Sequence, residues 1–374
     1  IKHATLTKSL YVDYLKRKID VLLKIKDEKK AIETVTKLQE KYLKTKDPNY
    51  FEIMTFLADI NIFLAQRLKN IDLLVKGIGE LLILDFFAKK FSEDQKFWSN
   101  KFHRDIKEKS KFLINTLKIP INEKILGKET LTILKQIELE TKDHIYIDKI
   151  LEIKQSDKFQ NKIDDLRTII QSIKEDEASP VVYSMAINEL ITSLAQQNKY
   201  NEAFEEAKNA TKEIKRIKNK QVKDYLLGET YLNLFRVNVR RQDYKQAEKE
   251  AKKAIEFFEE NINTLSHACF AIFELASLYM TQERLDKASS LLEKPTEFSE
   301  HILSPDLLAR LYELLGGINL KSKDFHNAAL YFGASALFYL ISDDQEKYRE
   351  FITLAINLYN RYLKLRGFIG VQFE

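Results

Sequence analysis

The chain has 374 residues, 44 % of them hydrophobic, with only nine glycines, five prolines and one cysteine. Such a composition can supply a core, leaves little turn or strand chemistry, excludes an internal disulfide and belongs to a protein that is nearly all helix. The net charge of +5 comes from the first 180 residues, which hold 35 Lys and Arg against 29 Asp and Glu, while the remainder is balanced at 26 against 27. Because acids interleave with the lysines throughout, this reads as solvated helix faces and not as a nucleic-acid footprint.

In chain order, residues 1–118 read as a helical N-terminal region of degenerate repeats or a bundle. LTKSLYVDYLKRKIDVLLKI and DEKKAIETVTKLQEKYL would form a first hairpin with Ala31 at a small position. NYFEIMTFLADINIFLAQRL and IDLLVKGIGELLILDFFAKKF would form a second, with Ala58. The latter run is the most apolar of the chain, but Asp72, Lys76, Glu80 and Asp85 are too many charges for a membrane span. Residues 119–180 read as a helical connector with short helices near Thr130–Glu140 and Gln160–Lys174. Asp47-Pro48, Ser179-Pro180 and Ser304-Pro305 each place an N-cap residue before a proline at the first helical position, where its missing N–H costs nothing. Pro120 marks a break, and Pro295 is expected to end a helix.

From Pro180 onward helices come in pairs, and four second helices align: NKYNEAFEEAKNA, RQDYKQAEKEAKKA, QERLDKASSLLEK and SKDFHNAALYFGAS. A bulky residue (Tyr200, Tyr244, Leu285, Phe325) precedes an alanine by three places (Ala203, Ala247, Ala288, Ala328), at a repeat near 40 residues. Ala207, Ala210, Ala251 and Ala254 continue the seam, which predicts close approach of antiparallel helices. Leu190, Leu234, Leu275 and Leu315 recur in the preceding helices, with Gly316 beside the last and Tyr279 following the third.

These positions resemble the tetratricopeptide repeat family over residues 181–345, with Leu292, Pro295 and Phe332 departing from its alanine pattern. The resemblance implies an all-α fold of antiparallel helix hairpins stacked as a right-handed superhelix, closed by a C-terminal helix and tail, residues 346–374. It also implies a concave groove lined by the first helix of each pair. Carried over position by position, the groove residues are Asn188, Thr192, Asn233, Arg236, Arg240, Phe273, Glu274, Ser277 and Arg310. Asn and Arg there suit a peptide backbone or carboxylate, and Phe273 is the member of the set that core packing explains best.

No catalytic or metal constellation stands out. His3, His103, His144, His267, His301 and His326 show no ligand spacing, and His326 reads as a solvated residue. Gly77-Ile78-Gly79 lacks a third glycine and a strand, so it reads as close helix packing and not as a dinucleotide loop. Asp164-Asp165 and Asp343-Asp344 read as turn or cap acids, and Cys269 as a buried thiol. The expectation is a non-enzyme without cofactor or metal, binding a protein or peptide partner, without nucleic acid or a membrane span. The leading reading is a scaffold in a larger assembly. The alternative is a peptide-sensing regulator resembling bacterial quorum-sensing receptors, although no DNA-binding helix-turn-helix precedes the repeats. The compartment expected is the cytoplasm, or the periplasm given one cysteine and a first residue other than Met; the residue usage points to a bacterium.

Overall fold

The computed structural model describes residues 50–68, 70–91, 104–111, 141–155, 161–297 and 304–365, with shorter pieces between 14 and 34 and single residues at 100 and 113. The expected helix start at Asp47-Pro48, the break at Pro120, the short helix near Thr130–Glu140, three of the histidines and the tail GFIGVQFE lie outside them. The elements are α1 (Tyr50–Leu68), α2 (Ile71–Phe91), α3 (Thr141–Gln155), α4 (Lys162–Glu175), α5 (Pro180–Gln196), α6 (Tyr200–Ile214), α7 (Lys220–Arg240) and α8 (Tyr244–Glu259). A 3₁₀ turn (Ile262–Thr264) leads to α9 (Leu265–Thr281), α10 (Leu285–Leu291), α11 (Glu293–Glu297), α12 (Pro305–Lys321), α13 (Phe325–Ile341) and α14 (Gln345–Leu365). The described residues contain no strand, and successive helices pack as antiparallel hairpins, the tetratricopeptide-like class.

The turns explain why the pairs repeat so regularly. Each pair is joined by three residues whose middle member has a left-handed backbone: Asn198, Gln242, Glu283 and Lys323, with φ between 59° and 63°, and Asp343 (φ 61°) before α14. The amide of the third residue then donates to a carbonyl five residues back, as from Lys199 to Leu194, Asp243 to Asn238, Arg284 to Tyr279, Asp324 to Asn319 and Asp344 to Tyr339, all at 2.9 Å. This is the Schellman closure, built here without the usual glycine. Asp243, Asp324 and Asp344 add a side-chain cap, accepting from the amides of Gln246, Asn327 and Lys347. Asp343-Asp344 thus serve as turn and cap acids, and Asp164-Asp165 occupy the first turn of α4, where the helix dipole favours them.

Ala203, Ala207, Ala210, Ala247, Ala251, Ala254, Ala288 and Ala328 are all fully buried, as the seam requires. Ser179 caps α5 by accepting from the Val181 amide, with Pro180 at its first position; Pro305 likewise opens α12, but Ser304 before it makes no side-chain cap hydrogen bond. Pro295 departs from expectation. The helix breaks at Leu292, and Pro295 sits in the first turn of α11. A proline cannot follow the carbonyl four residues before it in an unbroken helix, so the chain restarts upstream, where the ring and missing N–H are tolerated.

The chain divides into two compact units, Glu123–Ile302 and a second made of Ile1–Asn122 with Leu303–Glu374. The fourth aligned pair, α12 and α13, therefore shares a core with the N-terminal hairpin α1–α2, whereas the first three pairs belong to the other unit. In the discontinuous unit α2 lies directly on α13. A Cβ added at Gly79 would stand 2.8 Å from the Ala334 nitrogen and 2.9 Å from the Gly333 carbonyl carbon, so here backbone meets backbone. Gly77 faces Ile62 of α1, and Gly316 of α12 faces the ring of Phe332. Close packing thus accounts for Gly77-Ile78-Gly79. The helix α14 covers α13 through Phe351, stacked on Phe332 at 5.8 Å and Tyr339 at 5.4 Å.

Glu80 is fully buried in this core, its Oε1 accepting from the Tyr359 hydroxyl at 3.3 Å and its Oε2 lacking a partner. Burial pushes its carboxyl up to about 7, with the tyrosine hydrogen bond opposing the shift. His326 corrects the expectation of a solvated residue: its ring packs against Tyr362 at 4.6 Å and Tyr359 at 5.9 Å. One helical turn of α14 separates the two tyrosines, a pairing that the local sequence around DFHNAA could not reveal.

Candidate partner-binding cleft

Within the unit Glu123–Ile302, the first helices of the first three pairs, α5, α7 and α9, carry a chain of hydrogen bonds between their polar side chains. Asn188 of α5 donates to the Leu226 carbonyl at 3.4 Å and accepts from the Thr230 hydroxyl at 2.9 Å. Asn233 of α7 donates back to the Asn188 carbonyl at 3.2 Å. The Thr192 hydroxyl stands 3.3 Å from Asn233 Oδ1, which also accepts from Arg236 at 3.2 Å. Arg236 then grips Glu274 of α9 through Nε and Nη2, with contacts of 2.6–3.1 Å. Burial alone would lower the guanidinium pKa, but the hydrogen bonds and charge of Glu274, with the charge of Glu229 beside it, outweigh it and hold Arg236 charged.

Five of the nine groove residues named from sequence, Asn188, Thr192, Asn233, Arg236 and Glu274, therefore meet in one network. Their spacing explains it: positions three, four or seven apart share a helix face, and aligned helices bring equivalent faces side by side. The network satisfies these groups internally, so the asparagine amides serve to register one helix pair against the next. The other four differ. Phe273 is only 3 % exposed and belongs to the core, and the Ser277 hydroxyl donates to its own helix at the Phe273 carbonyl. Arg240 is exposed, and its side chain has no hydrogen bond or ion pair among the described residues. Arg310 lies in the other unit, paired with Glu313 one turn along α12.

Beside the network opens a cleft of about 340 Å³. Its floor is a stripe of α5 from Met185 through Asn188, Glu189 and Thr192 to Gln196, and one wall is the α7 stripe Tyr225, Glu229, Asn233 and Arg236. Ile150, Leu151 and Lys154 of α3 and Lys162 at the start of α4 close the other side. Lys162, with only 8 % of its side chain exposed, pairs with Glu189 at 3.1 Å, and Lys154 reaches the same carboxylate at 3.9 Å from an exposed position. Glu229 lies 4.0 Å from Nε2 of His267, whose ring is held between Tyr225 at 5.2 Å and Phe258 at 5.4 Å.

Sequence reasoning missed Lys154, Lys162, Glu189 and Glu229. Glu189 lies one turn before Thr192 and Glu229 one turn before Asn233, so following those stripes would have found them. The two lysines come from the segment read as a connector, and no local pattern announces that its helices fold against α5. Among the described residues no group of three His, Cys, Asp or Glu is placed to hold a metal, and no helix is long and apolar enough to cross a membrane.

No known family profile and no curated protein matches the chain. Among solved structures it is similar to a tetratricopeptide repeat protein from Parabacteroides merdae, at 14 % identity over 92 % of this chain and 99 % of that one, with a TM-score of 0.40. It is similar also to a Rap protein complexed with competence and sporulation factor, at 13 % identity over 96 % and 99 % of the two chains, with a TM-score of 0.39. A third is NprR in complex with its cognate peptide NprX, at 17 % identity over 93 % and 98 %, with a TM-score of 0.38. The likeness is one of helical-repeat architecture; at TM-scores this low it assigns no ligand, partner or site.

Proposed function

We propose that the chain is a non-catalytic interaction scaffold that takes an extended peptide segment of a protein partner in the cleft between α3, α5 and α7. The observation that carries this reading is the cleft itself, a mixed apolar and polar trough lined by side chains from successive repeats. Its α5 stripe runs eleven residue steps, from Met185 to Gln196. At 1.5 Å of rise per residue that is about 16 Å, the length of about five extended residues. An extended segment that inserts one or two side chains suits a cleft of about 340 Å³. The internally satisfied network supports the reading too, because a cleft whose wall is held in register loses little entropy on binding.

Met185→Arg tests it, since the half-buried Met185 lies on the floor and an arginine there fills the trough. Affinity capture followed by peptide mapping should show the partner lost from the variant while the melting temperature stays within about 2 °C of the parent, as for a surface change. Full retention of the partner would remove the cleft from consideration. Marked compaction in small-angle scattering on adding a short peptide would favour the sensing regulator over the scaffold.

A further inference from the structure

The charges around the cleft are not equally occupied. Glu189 is held by Lys162 and Lys154, and Glu274 is held by the forked contact of Arg236. Glu229 is the exception: about a quarter of its side chain is exposed, and its nearest basic nitrogen is the imidazole of His267 at 4.0 Å. That nitrogen counts as a cation only when protonated. Glu229 shares the lining of the cleft with Tyr225 and Leu226 of its own helix, Met185 of α5 and Ile150 and Leu151 of α3. The wall thus presents one carboxylate without a hydrogen-bonded cation in a trough of mixed polar and apolar lining. A carboxylate there is more strongly attracted to a partner cation than one in open water, because the protein walls lower the local dielectric.

We infer that Glu229 is the specificity element of the cleft and selects a peptide that brings a cationic group, a lysine or arginine side chain or a free amino terminus, between apolar side chains. This rests on the cleft being the binding site. Lys154, 62 % exposed at the rim, works in the same direction by discouraging a second basic residue there, so the preferred ligand carries one positive charge and not a basic run. Lys162 is fixed on Glu189 at hydrogen-bond distance, and Arg236 spends its hydrogen bonds on Glu274, so its charge reaches Glu229 only through space and leaves that carboxylate without a hydrogen-bonded cation.

Fluorescence anisotropy on the full chain tests this with labelled, N-acetylated hexapeptides that are leucine-rich and differ at one central position, lysine, norleucine or glutamate. A fourth peptide with norleucine and a free amino terminus distinguishes the source of the cation. The lysine or the free-amine peptide should bind about tenfold tighter than the glutamate one at low salt, with the gap narrowing at high salt. In Glu229→Gln, which keeps size and polarity, the lysine and glutamate peptides should bind alike; Met185→Arg should lose them all. Tighter binding of the glutamate peptide, an undiminished gap in Glu229→Gln, or no binding of either cationic peptide would overturn the inference. If Met185→Arg binds every peptide as the parent does, the cleft reading fails as well. If only the Glu229→Gln result fails, the cleft stands and its selectivity lies elsewhere.

Discussion

The two units solve the same packing problem by different means. In Glu123–Ile302 the helices approach over alanine seams and are tied at their open face by polar side chains running from Asn188 to Glu274. In the discontinuous unit α2 and α13 touch through glycine backbone at Gly79 and Gly333, and the core encloses the Glu80 carboxyl with one hydrogen bond, from Tyr359. The difference teaches where tolerance lies. An alanine seam can yield by a side-chain shift, and a satisfied polar ladder fixes register at little net cost. A backbone-to-backbone contact has nothing to move except the helices themselves, and a buried acid with one partner ties stability to proton concentration.

The Glu80 carboxyl gives the largest expected effect. Unfolded, it ionises at its ordinary value of 4.5, and folded at about 7. Between those values the folded chain keeps a proton that the unfolded chain has released, so its contribution is fully present below 4.5 and is lost as pH rises through 7. Glu80→Gln cannot ionise, and relative to it the parent should lose about 3 kcal/mol between pH 4.5 and pH 8. Denaturant melts of both proteins across that range check it; parallel curves would show that the acid is not the distinguishing feature of this core.

Next comes the contrast between the contacts. Gly79→Ala drives a methyl group to within 3 Å of three backbone atoms of α13, which outweighs the helix propensity gained. A loss of about 2–3 kcal/mol is expected, with faster amide exchange in α2 and α13. Ala247→Leu in the other unit overpacks a seam and should cost about 1–3 kcal/mol. Where a seam yields by side-chain rotation and not by helix displacement, the loss falls at the lower end. Equal losses in thermal melting would erase the distinction drawn between the two modes of approach.

The smallest effect concerns what the units share, the left-handed turn. Glu283 adopts φ 59° and is not at a cap position that uses its carboxylate. Glu283→Gly should therefore stabilise by about 0.5–1 kcal/mol, the relief of a side chain held at positive φ less the entropy glycine loses. A lowered melting temperature would mean that Glu283 makes a contribution which the turn geometry does not contain.

Much of the fold was legible because its signals are local. The Ser-Pro starts at 179 and 304, the alanine spacing, the terminal helix from Gln345 and the cap acids were all readable from a few neighbouring letters. The repeat turns were not recognisable as such, since Asn, Gln, Glu, Lys and Asp occupy the left-handed position where glycine is the usual marker. Pro295 was placed correctly as a disturbance, but its break falls three residues earlier because the clash is with a preceding carbonyl. Of the site, the residues on α5, α7 and α9 were legible through periodicity, while their mutual satisfaction was not: the pairing of Arg236 with Glu274 spans 38 positions and depends on how two helices align.

By itself, then, the amino-acid sequence determined an all-helical chain, the pairing of its C-terminal helices and the small residues at which they meet, since each follows from dihedral preferences and spacing within one or two turns. Only the tertiary structure decided that α12 and α13 share a core with α2, that Lys162 and Lys154 border the cleft, and that Glu80 is enclosed. Those outcomes depend on which distant faces bury the most apolar surface together, a choice made by the whole chain at once and recorded in no short stretch of it.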